Sequence, residues 1–206
     1  MNILAIESAT TVCGTALFLD NQMTGFDEIN IPRVHGEKLP IMVNRILDKF
    51  TIKTIDLDGI AISSGPGSYT GLRIGMSLAK GLAAPVKIPI IPISTLEVIN
   101  EGVDRKGLYT ILLHSHKDVV FEQTFNSGKI KSEVISAKFD KDKYNKPIGF
   151  NLDLMGDDID YESVSPSSVN LGKLAMRYFD DLAEKNLKVI TPNYITSFNS
   201  KIISSN

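Results

Sequence analysis

The chain has 206 residues, 43% of them hydrophobic, with 22 Lys and Arg against 24 Asp and Glu and one cysteine. This is enough apolar material to bury a sizeable core in one large domain or two small lobes, and it excludes overall disorder. A net charge of −2 with both signs interspersed excludes a protein that grips a phosphate backbone by its own positive field, so any nucleic acid contact is expected to be shared with a partner.

Met1 and Asn2 lead into Ile3-Leu4-Ala5-Ile6 and the acidic Glu7 with no basic leader and no cleavage signal, so a cytoplasmic protein beginning at Met1 is expected. No apolar run approaches the roughly 20 residues of a membrane span. Residues 2–7, 12–19 and 23–31, separated by Ser8-Ala9-Thr10-Thr11 and Asp20-Asn21, predict three strands in an antiparallel meander. Leu39, Met42, Val43, Ile46, Leu47 and Phe50 recur at three- and four-residue spacing and predict a helix over about 35–50 with one apolar stripe. A buried strand at 57–63 is followed by the turn Ser64-Gly65-Pro66-Gly67 and a helix over 68–84, with Pro85 as its stop. Another strand at 88–92 precedes a short helix carrying Leu96, Val98 and Ile99, for which Ser94 and Glu97 form a capping box.

From Gly107 the pattern restarts, with strands predicted at 108–113, 119–125 and 129–135. The recurrence is one of element order, without a sequence repeat. It predicts an α/β fold of two lobes with mixed sheets flanked by helices, the first spanning 1–103 and the second, smaller, 104–206. Residues 138–146 read as a polar loop, 147–155 as holding a short strand, and the acidic 157–162 as a solvated connection. Pro166 fits the first turn of a last helix carrying Leu171, Leu174, Ala175, Tyr178 and Phe179, and 187–206 reads as a further strand that then frays.

The stretch from Ser63 to Arg73 combines a strand end, a glycine turn and a helix start, where free N–H groups can hold an anion. Glu7, Gly65, Gly67 and Ser68 are therefore candidates for a phosphate or nucleotide turn. Neither common nucleotide motif fits: Leu72 stands where a P-loop needs lysine, and Thr70 where the dinucleotide pattern needs glycine. In the helix that follows, Gly71, Gly75, Ala79 and Ala83 fall four apart on one smooth face. A helical glycine costs about 1 kcal/mol against alanine, so close packing on another helix, within this chain or from a second one, is expected to offset Gly75. Cys13 reads as a small strand residue and His35 as a helix-start residue. His114 and His116 read as solvent-facing, since no third metal ligand accompanies them.

Ile3-Leu4-Ala5-Ile6-Glu7-Ser8-Ala9-Thr10, the run Ser64-Gly65-Pro66-Gly67-Ser68-Tyr69-Thr70-Gly71-Leu72-Arg73-Ile74-Gly75, Ala79-Lys80-Gly81-Leu82-Ala83 and Pro92-Ile93-Ser94-Thr95-Leu96-Glu97 together resemble the TsaB (YeaZ) family. The likeness covers the first hundred residues and weakens afterwards, where Pro192-Asn193-Tyr194-Ile195 is similar to the family's closing strand. It implies an actin-like, Hsp70-like (ASKHA) fold and a non-catalytic subunit of the machinery that builds threonylcarbamoyladenosine beside the tRNA anticodon. The implied partners are the catalytic paralogue TsaD, the ATPase TsaE and a second copy of the chain, with tRNA met only through the complex and no membrane. No intrinsic cofactor is implied; ATP, ADP and Mg²⁺ enter with the complex. The implied partner surface lies on the helices flanking the Gly-Pro-Gly turn, with His35, Leu39, Met42, Tyr69, Gly71, Leu72, Ile74, Gly75, Leu78, Ala79 and Leu82. TsaD shares the fold but needs a second histidine four residues after the first, where this chain has Leu39 after His35.

Two positions depart from the family: Glu7 stands for its usual Asp, and His114-Ser115-His116 for its usual Asp-Ala-Arg. A competing reading is a small ASKHA phosphotransferase that binds ATP between the lobes, with Glu7 on Mg²⁺ and the Gly65 to Gly71 turn on phosphate. A metallopeptidase-like protein would need the paired histidines or a nucleophile–base pair that the sequence lacks.

Overall fold

The computed structural model describes residues 1–195 apart from 145, 157 and 158. β1 (Ile3–Glu7), β2 (Val12–Leu19) and β3 (Gln22–Asn30) form the predicted antiparallel meander. After α1 (His35–Lys49), β4 (Gly59–Gly65) joins β1 in parallel, and after α2 (Tyr69–Val86), β5 (Ile90–Ser94) joins β4. The first sheet thus has the order β3-β2-β1-β4-β5. α3 (Thr95–Asn100) leads to the second sheet, built from β6 (Leu108–His116), β7 (Val119–Asn126), β8 (Lys129–Ile130), β9 (Ile135–Lys138), β10 (Ile148–Phe150) and β11 (Glu162–Ser163). Its order is β11-β10-β6-β7-β8, with β9 also on β7. The chain closes with α4 (Ser168–Arg177) and α5 (Phe179–Leu182). The α/β class with two mixed sheets and flanking helices is therefore as expected.

Alternation along β1 explains the layering, because successive side chains point to opposite faces. Leu4 and Ile6 join Cys13 and Leu17 under Leu39, Met42, Val43 and Met76 of α1 and α2. Ile3 and Ala5 join Ala16 and Phe18 under Leu171, Leu174 and Ala175 of α4. α4 lies in the second half of the chain but packs on the first sheet, so the two halves of the sequence do not each keep to one sheet. The chain leaves the first body at Gly102 and returns at Val164, whose methyl group lies 3.1 Å from the place a Cβ on Gly102 would take. The second sheet has its own core around Ile111, Leu113, Phe125 and Ile148, shared with Val12, Leu96 and Ile99 of the first body.

Several expectations need correction. Pro85 does not stop α2 but sits in its last turn, where a missing N–H costs only one bond, and the helix ends at Lys87 in the left-handed region. The capping box of α3 forms only by half: Glu97 accepts from the Ser94 N–H, while Ser94 Oγ has no partner. The strand expected at 129–135 is two strands, because Ser132 Oγ takes the Thr124 N–H and interrupts the pairing. The strand from Leu108 runs on to His116 through a bulge. The last helix breaks at Tyr178. Glu162, expected in a solvated connection, begins β11 and pairs with Arg105; Asp157 and Asp158 lie outside the described residues. From 187 to 195 there is no strand, and 196–206 also lie outside. No helix among the described residues is long and apolar enough to cross a membrane.

Candidate functional site

The glycine turn and the start of α2 rest directly on the β1–β2 turn. Gly65, at φ +117°, holds a backbone conformation that side chains rarely adopt, and the Asn193 N–H donates to the Ser64 carbonyl beside it at 2.7 Å. A Cβ on Gly67 would strike the Ala9 carbonyl, one on Gly71 the Ser8 carbonyl, and one on Gly75 the Ser8 hydroxyl. The Ser68 N–H is spent on the Ala9 carbonyl at 2.7 Å, and Ser68 Oγ caps the helix by accepting from the Gly71 N–H at 3.2 Å. The glycines of the smooth face therefore pack flush on this chain's own turn and sheet, while Ala79 and Ala83 join the core that α1 covers.

That placement divides the surface expected for a partner. His35, Leu39, Met42, Gly71, Leu72, Gly75 and Ala79 are buried within the chain. His35 donates Nε2–H to the Val12 carbonyl at 3.0 Å. Tyr69 is exposed; Ile74, Leu78 and Leu82, four apart on another side of the helix, pack partly against the core and leave the rest of their surface open, forming a half-buried ridge at the outer edge of the packing face of α2. Gly81 lies on this side with nothing within 4 Å of where its Cβ would be. At the N-terminal end of α2, the Arg73 guanidinium lies 3.9 Å from the Tyr69 ring centre, and its Nε donates to the Tyr194 hydroxyl at 2.9 Å. Sequence reading missed Arg73 and Tyr194 as a pair, because no local pattern joins residues so far apart.

Glu7 is fully buried at the end of β1. Its carboxyl accepts from Ser63 Oγ and from the Ala9 N–H, the latter at 2.8 Å. Burial pushes its pKa up to about 7, against the lowering effect of those bonds and with a smaller raising contribution from Glu28. Glu7, Gly14 and Glu28 are directly paired across three adjacent strands, so both carboxyl groups lie on one face with only a glycine between them. Glu28 leans across Gly14 to accept from the N–H and Oγ of Ser168, the latter at 2.6 Å, at the start of α4. Glu7 is thus enclosed at the end of the sheet, its carboxyl engaged by Ser63 and Ala9.

A cleft of about 530 Å³ opens between the sheets, bordered by the Gly67–Ser68 turn, the start of α1 and the end of β6. Arg33, His35, His114, Ser115 and Asn151 line it. Asn151 Nδ2 donates to Thr11 Oγ1 at 3.3 Å, tying the second sheet to the first. His114, expected to face solvent, is half-buried on the cleft wall with Nε2 donating to the Lys117 carbonyl at 3.1 Å, whereas His116 is exposed. The bulge at Ser115 is what lets the strand end turn there. No group of three or more His, Cys, Asp or Glu among the described residues is arranged to hold a metal ion. Cys13 is buried, and burial raises its pKa to about 11, so it stays a thiol.

The likeness to known proteins agrees with this architecture. The family model described as TsaD, tRNA N6-adenosine threonylcarbamoyltransferase, matches residues 29–141. The tRNA threonylcarbamoyladenosine biosynthesis protein TsaB of Escherichia coli K12 is 39% identical over 113 residues, covering 55% of this chain and 48% of that protein. The TsaB protein of Bacillus subtilis 168 is 35% identical over 122 residues, covering 59% and 53%. The chain spans about half the length of the curated relatives it matches. The solved structure of YeaZ from Pseudomonas aeruginosa shares the fold at a TM-score of 0.73 and 20% identity, covering 94% of this chain and 99% of that one. With over half of its residues inside the family model, the chain belongs to the TsaD family of tRNA N6-adenosine threonylcarbamoyltransferases, in its TsaB (YeaZ) branch.

Proposed function

We propose that the chain is a non-catalytic, cytoplasmic partner of a TsaD-type transferase in threonylcarbamoyladenosine modification of tRNA, and that the outer ridge of α2 is its docking surface. The observation that carries this reading is the division of α2 into two unlike faces. The inner face is consumed by the chain's own fold, while Ile74, Leu78 and Leu82, partly packed against the core, leave a half-buried apolar ridge beside the bare Gly81. A partly exposed apolar row of this kind suits association. Two further features fit a supporting role: Glu7 is engaged inside the sheet, and His35 is committed to a backbone carbonyl. On this reading TsaE, ATP, ADP and Mg²⁺ enter with the complex, and tRNA is met through TsaD.

Gly81→Arg tests the surface without disturbing the interior, since the new side chain meets open space. The variant is expected to keep its fold and to lose at least about tenfold in affinity for a TsaD-type partner, about 1.4 kcal/mol. Undiminished binding would remove the outer ridge as the docking surface. Turnover of threonylcarbamoyl adenylate by the isolated chain would overturn the non-catalytic assignment.

A further inference from the structure

α2 is the longest helix among the described residues and contains no aspartate or glutamate. Its outward face runs through Tyr69, Arg73, Ser77 and Lys80, turned away from the buried glycines, with Lys87 just past its end. Arg73 and Lys80 stand seven residues apart, which sets them on one side of the helix about 10 Å from each other along its axis. Among the described residues neither they nor Lys87 pairs with a carboxylate, whereas Lys38, Arg45, Arg105, Lys138, Lys143 and Arg177 all do. Asp56, in the segment 54–56 that touches α2, is turned back to accept from the Lys53 N–H at 2.8 Å.

The N-terminal end of the same face carries a stack of side chains. The Tyr69 and Tyr194 ring centres are 4.9 Å apart, and Arg73 lies over Tyr69 while its Nε holds the Tyr194 hydroxyl. The segment that bears Tyr194 is fixed before and after it, with Ile190 in the first core and Ile195 packed on the second. Tyr69 and Tyr194 are nevertheless 55% and 41% exposed. Rings held in place and still open to water have already lost the freedom that binding would otherwise take from them.

A row of unpaired cations on an acid-free helix suits a polyanion, but a polyanion alone has no use for the rings. RNA supplies both partners: phosphates for the cations, and unpaired bases that stack on aromatic rings and guanidinium planes. Bases inside a duplex are closed to such stacking, so the rings call for unpaired nucleotides. We propose that the outward face of α2, from the Tyr69–Tyr194 pair to Lys87, is a contact surface for structured RNA, the rings taking a loop base and the cations the phosphates of the adjoining stem. The inference rests on the tRNA reading above and goes beyond it: RNA met through the partner also touches this chain. A net charge of −2 makes the contact local and weak on its own. The ridge of Ile74, Leu78 and Leu82 lies on another side of the helix, so partner docking and RNA contact do not compete for the same residues.

Fluorescence anisotropy on the full chain at low salt, with a labelled RNA hairpin and a blunt RNA duplex of the same stem, tests both parts. The hairpin is expected to bind at least about tenfold more tightly than the duplex. Tyr69→Ala should weaken the hairpin about tenfold, leaving the duplex and the salt dependence unchanged. Lys80→Gln and Lys87→Gln, with unchanged melting temperatures, should each weaken both RNAs and flatten the slope of log affinity against log salt by about 0.7 to 1. A mere loss of packing would not move that slope. The proposal is overturned by no binding at low salt, equal binding of hairpin and duplex, a hairpin indifferent to Tyr69→Ala, or a slope unchanged in both lysine variants. Displacement of the hairpin by polyglutamate as readily as by unlabelled RNA would mark a general polyanion surface and overturn it too. Because no partner protein is present in these measurements, a failure here leaves the docking ridge standing, and loss of partner binding in Gly81→Arg leaves the RNA result standing.

Discussion

The two faces of α2 carry similar residues and do opposite things. On the inner face Gly71 and Gly75 are small because Ser8 occupies the space a side chain would need. On the outer face Gly81 is small with nothing against it. A run of small residues in a sequence therefore reports a close approach only where the fold supplies something to approach, and the periodicity of the pattern is the same in both cases.

Substitution at the same residue type should separate the faces. The largest effect is expected from Gly75→Arg, which drives a charged side chain into Ser8 and the sheet beneath it. A loss on the order of 4 kcal/mol or more, seen as insoluble protein or a collapsed melting transition, is predicted, and a normal melt would contradict the packing described. Next comes the acid under the same turn. The folded-state pKa of Glu7 lies near 7 against 4.5 for the unfolded chain, so its contribution is fully present below about 4.5 and is lost as pH rises towards 7. The loss amounts to about 3 kcal/mol. Urea unfolding at a series of pH values should show it in the parent chain and a flatter profile in Glu7→Gln. Ser68→Ala removes the cap of α2 and should cost about 1 kcal/mol in the same assay. Gly81→Arg should be smallest, a gain of up to about 1 kcal/mol from replacing a helical glycine in open space; a marked loss of stability there would erase the distinction between the faces.

How much of this could be read from the sequence follows from the range of each interaction. The strands and helices of the first body have strong periodicity and were legible to within about two residues, a common boundary error. The second sheet was less so, since β8 and β9 arise from one side chain, Ser132, taking a backbone N–H from its neighbour strand. For the site, the helix and its smooth face were visible and Glu7 was singled out, but neither the burial of Glu7 nor the direction of the face was. Periodicity names the residues that share a side of a helix, while the partner, here Ser8, is fixed only by tertiary packing. Arg33 and Asn151 gave no local signal, because they meet at the cleft only when the two sheets come together. His114 was assigned to solvent for want of a visible partner, and the Ser115 bulge sets it on the cleft wall instead.

The return of α4 to the first sheet makes the region between Gly102 and Val164 a long excursion that departs and re-enters at a single doorway. Cutting the polypeptide after α3 would strip Phe18 and Ile3 of their cover, so an N-terminal fragment alone is a poor candidate for independent folding. Splicing out the excursion and rejoining its ends would spare that cover but uncover Leu96 and Ile99. Evolutionary tinkering with length is thus best tolerated at the far rim of the second sheet, where a change in the excursion need not disturb the body that holds α2.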